Sequence, residues 1–228
     1  MALYGIADLH LSFTADKPMD IDGPAWENHT TRLEKNWREM VRKEDTVIIA
    51  GDISWGLKLE EAMADLQWLH ELPGFKVMFK GNHDPWWSSI TKLNTLFEDM
   101  FFVQNSFYPY GEYAICGSRG WLCPGSSDFK AHDEKIYARE QLRLRASLEA
   151  ARNAGYEKII GVLHYPPTND KKEMSAFVEI FNEYEVRQAV YGHLHGETEE
   201  TAPDLQFGCT NFSLVACDKL ECRPLRLL

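Results

Sequence analysis

Five short apolar segments of this sequence end directly at aspartate, asparagine or histidine, and this pattern limits the folds available to the chain. The polar blocks that follow the segments are Asp8-Leu9-His10, Gly51-Asp52, Gly81-Asn82-His83-Asp84, His164 and Gly192-His193-Leu194-His195. Apolar runs of this kind are typical of strands that are covered on both faces. In α/β folds, the carboxyl ends of such strands meet at one edge of the sheet. We therefore expect the polar side chains to converge.

Predicted strands and helices alternate along most of the chain. Strands are expected at 3–7, 46–50, 76–79, 101–103, 113–116, 158–163 and 189–191, with short strands and turns at 206–227. Helices are expected at 26–43, 59–72, 87–97, 135–154 and 177–184, and a long loop at 117–133. The strand-rich tail predicts that the sheet system is not purely parallel. Since no repeat or linker interrupts the sequence, we expect a single domain over residues 1–228.

The charge of the chain limits its partners. The formal net charge is −11, so a general basic surface for nucleic acid is not expected. The sequence has no apolar run near the ~20 residues of a membrane span, and no signal peptide is recognised. Its five cysteines are an odd number without CxxC spacing, which disfavours a disulfide framework or a zinc ribbon. We expect a cytoplasmic protein with reduced thiols.

The polar blocks contain five of the eight histidines. A single one of these could be a hydrogen-bonded core histidine, but the whole set with its interleaved carboxylates favours metal binding. Imidazole, carboxylate and amide ligands without thiolate suit Mn, Fe, Zn or Co. There are seven candidate ligands, which exceed the needs of one tetrahedral ion and suit two ions that share a carboxylate. They are Asp8, His10, Asp52, Asn82, His164, His193 and His195.

These five blocks, in this order, resemble the signature of the calcineurin-like metallophosphoesterases. The resemblance implies an α/β fold of two packed β-sheets flanked by helices, a four-layer αββα sandwich, with a dinuclear centre at one end. It implies that Asp52 bridges two ions. The first ion would also be held by Asp8, His10 and His195, and the second by Asn82, His164 and His193.

The resemblance also implies roles in catalysis for the residues around Asn82. His83 would face the substrate phosphate and protonate the leaving oxygen or stabilise charge. Asp84 would orient the His83 ring, and Gly81 would permit a tight bend. A metal-bound hydroxide would be the nucleophile.

The function that we predict is hydrolysis of a phosphodiester or phosphomonoester of a small molecule or nucleotide. Protein Ser/Thr phosphatases of the superfamily usually carry GNHE and lack the paired histidines of Gly192-His193-Leu194-His195, so the chain is more similar to the bacterial phosphodiesterase branch. A nuclease of the same superfamily and a catalytically silent metal-binding scaffold are the alternatives. The acidic charge disfavours the nuclease, and the presence of His83 and Asp84 disfavours the scaffold.

Two residues outside the blocks are predicted to contact substrate. Arg119 could bind phosphate oxygens in a bidentate manner. Trp86 could offer a ring face to a flat group of the substrate, with core packing as the alternative. The sequence does not predict the natural substrate, the metal pair or the oligomeric state.

Overall fold

Two mixed β-sheets form the centre of the fold in a computed structural model that describes residues 1–196 and 204–228. The strands are β1 (Leu3–Ile6), β2 (Thr46–Ile49), β3 (Phe75–Met78), β4 (Met100–Phe102), β5 (Phe107–Tyr110), β6 (Tyr113–Ser118), β7 (Lys158–Leu163), β8 (Gln188–Tyr191), β9 (Asp204–Phe207), β10 (Thr210–Leu214) and β11 (Leu225–Arg226). The helices are α1 (His29–Met40), α2 (Leu59–His70), α3 (Ile90–Leu93), α4 (Asp133–Asn153) and α5 (Ala176–Glu183), with 3₁₀ turns at Met19–Asp22 and Pro24–Trp26.

Each sheet has a parallel centre and at least one antiparallel edge. The first sheet has the order β11-β1-β2-β3-β4, with only β11 antiparallel to its neighbour. The second has the order β5-β6-β7-β8-β10-β9, with β5 and β9 antiparallel at its two edges. The mixed sheets agree with the expectation from the tail. Parallel centres place the carboxyl ends of β1, β2 and β3, and of β7 and β8, at shared edges.

Three apolar clusters define four layers. One cluster lies between the sheets and contains side chains from both, such as Ile48 and Val77 of the first and Val162 of the second. The outer face of the first sheet packs on α1, α2 and α3. The outer face of the second sheet packs on α4 and α5. The predicted αββα sandwich is therefore confirmed. Among the described residues, no helix has both the length and the apolar character to cross a membrane.

Two predicted helices are shorter than expected. The helix predicted at 26–43 begins only after Asn28, whose φ of 50° is left-handed, and it ends before the extended residue Val41. The helix predicted at 87–97 is reduced to α3. The Asn94 side chain hydrogen-bonds both backbone groups of Phe102 in β4, with 2.7 Å from the Phe102 N–H to Asn94 Oδ1. Such side-chain to backbone bonds compete with helix formation.

The strand β5 was not predicted. It contains Pro109, which normally argues against a strand because proline cannot donate to the ladder. The structure places β5 at the edge of the second sheet, where only β6 pairs with it. Proline is tolerated at such an edge because one side of the strand needs no partner.

An ion pair between the buried Lys76 and the partly exposed Asp99, which also contacts His70, leads to a testable prediction for stability. Lys76 is 0% exposed, and its ammonium donates to the carbonyl of Leu72 at 2.5 Å and to Asp99 Oδ2 at 2.6 Å. Asp99→Ala should lower the free energy of unfolding by about 3 kcal/mol, since it leaves a buried charge without its partner. Lys76→Met should cost clearly less, because it removes the charge and keeps the volume. Urea unfolding of both variants measures this, and equal losses would contradict it.

Candidate metal centre

The seven predicted ligands come together at the carboxyl ends of five strands. Asp8 and His10 follow β1, Asp52 follows β2 and Asn82 follows β3 in the first sheet. His164 follows β7, while His193 and His195 follow β8 in the second sheet. The centre therefore lies across the joint between the two sheets, and neither sheet contains it alone.

One group of side chains consists of Asp8, His10, Asp52 and His195, whose potential ligand atoms lie within 4.8 Å of one another. His10 Nε2 lies 3.1 Å from His195 Nε2 and 3.8 Å from Asp52 Oδ2. Asp8, His10 and Asp52 are fully buried, whereas His195 is partly exposed. This group matches the first ligand set that the family resemblance implies.

A second group consists of Asp52, His164 and His193. His164 Nε2 lies 3.4 Å from Asp52 Oδ2 and 2.7 Å from Asn82 Oδ1. His193 Nδ1 lies 2.9 Å from the same Asn82 oxygen. Asp52 belongs to both groups, so one carboxylate lies between two sets of ligand atoms.

The potential ligand atoms of this centre are suited to bind a cation. Asp52 Oδ2 is buried and has no hydrogen-bond partner within the described ranges. The Nδ1–H of His164 donates to the carbonyl of Ala50 at 3.0 Å, so that a neutral His164 ring directs the lone pair of Nε2 at Asn82 Oδ1 and Asp52 Oδ2. Acceptors that face one another in a buried site are costly unless a proton or a cation lies among them. Carboxylate, imidazole and amide oxygen are suitable ligands for a divalent transition metal.

Burial and charge shift the pKa values in the centre in opposite directions. Burial lowers the pKa of His10, and burial together with His164 lowers the pKa of His193 to about 3. Burial also acts to lower the pKa of His164, but the negative charge of Asp52 outweighs it and raises that pKa to about 9. Burial raises the pKa of Asp8. His10 and His193 are therefore neutral, whereas a cation that binds His164 would have to replace the proton on its ring.

Thiols take no part in either group. All five cysteines are free, and the acidic and histidine groups described above contain none of them. Burial raises the pKa of Cys116 and Cys123 to about 12, so these two thiols are poor ligands.

Four predicted ligands have left-handed backbone conformations. The φ angles are 57° at Asp8, 45° at His10, 53° at Asp52 and 72° at His193. Conformations of this kind cost energy in non-glycine residues and concentrate at functional sites. Backbone bonds hold them in place, among them those from the Asp8 N–H to the carbonyl of Gly51 and from the His10 N–H to the carbonyl of Asp52, both 3.0 Å long. The left-handed backbone at these residues turns the side chains of the predicted ligands towards one point.

Two glycines permit the close approach of the ligand loops. A Cβ atom on Gly81 would overlap Asp52 Oδ1. A Cβ atom on Gly51 would lie 2.6 Å from His164 Nδ1, and the φ of 97° at Gly51 is unfavourable for other residues. At Gly81 the requirement is steric, since no side chain fits between the two loops, and the backbone there is not left-handed.

The predicted contact between Asp84 and the His83 ring is wrong. The Asp84 carboxylate is fully buried and accepts N–H groups from five residues, none of them the ring of His83. The donors are the backbone of Asp52, Ile53, Ser54 and Gly81, and the indole of Trp86, at 2.8–3.3 Å. Burial and the charge of Asp52 raise the pKa of Asp84 to about 6. Asp84 therefore fixes the loop that carries Asp52.

The prediction of an exposed ring face at Trp86 is also wrong. Trp86 is 2% exposed and packs against Trp87 and Phe102 in the core of the first sheet. Its indole N–H is already engaged by Asp84. The core-packing alternative applies, because a ring without exposed surface offers no face for stacking.

His83 and Arg119 lie in different surroundings. The His83 ring is half-buried beside the ring of Trp55, with 4.4 Å between centroids, and the His83 backbone N–H donates to Asp52 Oδ1 at 2.7 Å. The Arg119 guanidinium lies 3.4 Å from the buried carboxylate of Glu140 and against the ring of Trp121. Arg119 thus compensates a buried charge, and its contact with phosphate stays a prediction.

Two buried carboxylates near the centre were missed in the sequence. Asp65 of α2 accepts the Phe13 N–H at 2.9 Å and the hydroxyl of Ser54, which links two loops beside the centre. Asp218 accepts the N–H of Gly196, directly after His195. The position of Asp65 on the apolar face of a predicted helix, between Ala62 and Leu66, was a usable signal. The sequence around Asp218 contains none.

The match of the chain to a family model shows which protein family it belongs to. The model of the calcineurin-like phosphoesterases matches residues 1–197. The chain belongs to this family. The Asp/His cluster gives this member of the family a candidate metal site.

The chain is similar to two phage proteins over part of its length, and it shares its fold with solved structures. The Gene 66 protein of Mycobacterium phage L5 is 45% identical over 58 residues, which are 25% of this chain and 28% of that protein. The Gene 66 protein of Mycobacterium phage D29 is 37% identical over 95 residues, which are 40% of this chain and 46% of that protein. The chain thus spans less than half the length of either relative. The phosphopantetheinyl hydrolase PptH of Mycobacterium tuberculosis shares the fold, with a TM-score of 0.56, 17% identity and coverage of 100% of this chain and 95% of that chain.

The contacts of Asp84 predict the behaviour of a conservative variant of this calcineurin-like phosphoesterase. Asp84→Asn should lower the free energy of unfolding by about 3 kcal/mol or more, because the amide directs its own N–H₂ at backbone donors in either orientation. It should also reduce the metal content after purification. Asp128→Asn, at an exposed position without a described partner, is the matched control and should change neither. Thermal unfolding and elemental analysis test this, and wild-type behaviour of Asp84→Asn would contradict the assigned role.

Proposed function

We propose that the chain is a dinuclear phosphoesterase that hydrolyses a phosphodiester or phosphomonoester of a small molecule or nucleotide. The observation that carries this proposal is the position of Asp52. Its Oδ2 atom is buried, has no hydrogen-bond partner in the described part of the chain, and lies 3.8 Å from His10 Nε2 and 3.4 Å from His164 Nε2. A carboxylate between two ligand groups suits a pair of ions.

The side chains divide into two ligand sets that share Asp52. Asp8, His10 and His195 would complete the first set, and Asn82, His164 and His193 the second. Two transition-metal ions from Mn, Fe, Zn and Co would supply a hydroxide nucleophile near neutral pH and offset the charge of the phosphate. The chain orients the ligands through outer contacts, such as the hydrogen bond from His164 to the carbonyl of Ala50.

His83 would act on the leaving oxygen of the ester. Its ring is half-buried and lines a cavity at the edge of the centre. Burial lowers the pKa of His83, and the charge of Asp52 opposes that shift. A bound phosphate adds negative charge beside the ring and favours the protonated form, which can donate a proton to the departing alkoxide.

The charge of the protein supports a small substrate. A net charge of −11 disfavours long polyanions, so we do not favour the nuclease alternative. The silent scaffold is disfavoured by the half-buried His83, since a scaffold needs no imidazole beside its ligands. We propose that the protein acts as one domain in the cytoplasm.

The function is tested with protein that has been stripped of metal and reconstituted with Mn²⁺, Fe²⁺, Zn²⁺ or Co²⁺. Mono- and diesters of nitrophenol and of simple alcohols are then assayed. Turnover that depends on metal supports the enzyme, and the ratio of diester to monoester rates assigns the substrate class. Metal binding without turnover of any ester would favour the scaffold.

The metal count is predicted from the shared carboxylate. The wild-type protein should bind about two equivalents of transition metal, and His10→Ala about one. Asp52→Ala should bind the least, because it removes a ligand from both sets. Asp45→Ala is the matched control, since Asp45 is a buried carboxylate just before the other end of β2. Elemental analysis measures the content, and a wild-type value near zero after reconstitution would overturn the dinuclear proposal.

Substitutions of His83 and Asn82 should have different effects on metal binding and on the rate. Asn82→Ala should weaken the second set, so that added Mn²⁺ restores part of the rate. His83→Ala should keep both ions and lower kcat by roughly 10²–10⁴-fold, the usual range for a positioned acid or base. The loss should be larger for alkyl esters than for nitrophenyl esters, since nitrophenolate leaves without a proton.

The control for these variants is His132→Ala, which lies at an exposed position outside the centre. It should change neither metal content nor rate. An equal loss on both ester classes in His83→Ala would instead favour stabilisation of the phosphoryl oxygens. Loss of metal in His83→Ala would make His83 a ligand.

A further inference from the structure

A cavity of about 440 Å³ opens directly beside the candidate metal centre. Asn82 and His83 form its inner wall, so the cavity is continuous with the place where a phosphate would react. Trp55, Leu57 and Pro85 contribute much of its apolar wall. A cavity of this size matches a small organic group of the size of a nucleoside or a drug.

Hydrogen bonds between two loops hold the wall of this cavity in place. The loop after β1 and the loop after β2 meet where the Trp55 N–H donates to the carbonyl of Leu11 at 2.8 Å. Thr14 Oγ1 donates to the carbonyl of Glu61 at 2.6 Å, and the buried Asp65 binds both loops through Phe13 and Ser54. The cavity is therefore a built feature of the fold, and its shape exists before any ligand binds.

The chemistry of the wall favours a flat apolar group. The Trp55 ring stacks on His10 with 4.7 Å between centroids and a tilt of 21°, which fixes its orientation. The Lys17 ammonium lies over the same ring at 3.8 Å. Leu57 is 71% exposed, and exposed leucine next to an exposed proline gives the mouth of the cavity an apolar rim. His10 and the Lys17 ammonium cover the faces of the Trp55 ring, so a substrate ring would meet the edge of the indole and be buried against the apolar rim.

We propose that this cavity binds the leaving alcohol of the substrate, and that it selects an uncharged alcohol with a planar ring. The inference rests on the proposed function, in which His83 protonates the leaving oxygen. Because His83 lines the cavity, the alcohol that departs from the phosphate extends into it. Trp55 and Leu57 are then specificity residues that contact the body of the alcohol.

The charges around the cavity argue for an alcohol without further phosphate groups. Lys17 is the single lysine or arginine in the lining among the described residues, whereas Asp16 and Glu61 contribute two carboxylates. Glu61 accepts the Leu57 N–H at 2.7 Å and so remains at the rim. A leaving group with additional phosphates would meet more negative than positive charge there.

The test compares benzyl and methyl phosphate, whose leaving alcohols have similar acidity and differ by the ring. If the enzyme hydrolyses only diesters, their mixed ethyl diesters replace them. The benzyl ester should have a kcat/KM roughly ten-fold higher, about the effect of an edge contact between two aromatic rings. Leu57→Ser should remove most of this preference through KM. Leu142→Ser is the matched control, since Leu142 is 69% exposed on α4, and it should retain the preference.

A second measurement does not depend on catalysis. Benzyl alcohol should shift the indole N–H resonance of Trp55, which donates to Met19 Sδ, in the NMR spectrum of the Zn²⁺-loaded protein. Methanol should not, and Leu57→Ser should weaken the effect. If no ester is hydrolysed while benzyl alcohol still binds at Trp55, the proposed function fails, the leaving-alcohol role fails with it, and only the binding of a ring in the cavity stands. If esters are hydrolysed with equal kcat/KM for benzyl and methyl, or if Leu57→Ser and Leu142→Ser behave alike, the cavity assignment is overturned.

Discussion

The buried carboxylate of Asp84 connects the two loops on which the centre is built. It accepts backbone N–H groups from Asp52 to Ser54 on one side and from Gly81 on the other. A carboxylate that accepts several N–H bonds holds the donating loops together, because each donor would otherwise be buried without a partner. The left-handed backbone at Asp52 persists because these bonds determine it. The position of Asp52, and with it the relation between the two ligand groups, depends on this contact.

The two sheets contribute unequal parts to the centre. The first sheet supplies both carboxylates, the amide and His10, and the second supplies His164, His193 and His195. The Ala7 N–H donates to the carbonyl of Val215, and the Cys217 N–H donates to that of Ala7, so β1 continues into the second sheet at the joint. The metal ligands are thus anchored on both sides of one backbone connection, which limits how far the two halves can shift.

Much of the architecture and the grouping of the ligands could be predicted from the sequence, because strand periodicity and strand-end chemistry are local signals. Side-chain partners were harder to predict. Asp84 was paired with its neighbour His83, but its oxygens face amides from a loop 30 residues away in sequence. Substrate stacking and core packing were both open for Trp86, and the packing on Phe102 decides for the core. The short α3 and the proline-containing β5 depend on tertiary contacts that no single segment encodes.

The order of the ligands along the chain has a consequence for synthesis. Asp8, His10, Asp52 and Asn82 lie in the first 82 residues, whereas His164, His193 and His195 come after β7 and β8. A ribosome releases the carboxylate half of the centre long before the histidines of the other half. If these residues bind metal as proposed, the nascent chain would hold an incomplete set of ligands until residue 195 has left the exit tunnel. The complete set of candidate ligands is thus available only after residue 195 has been synthesised.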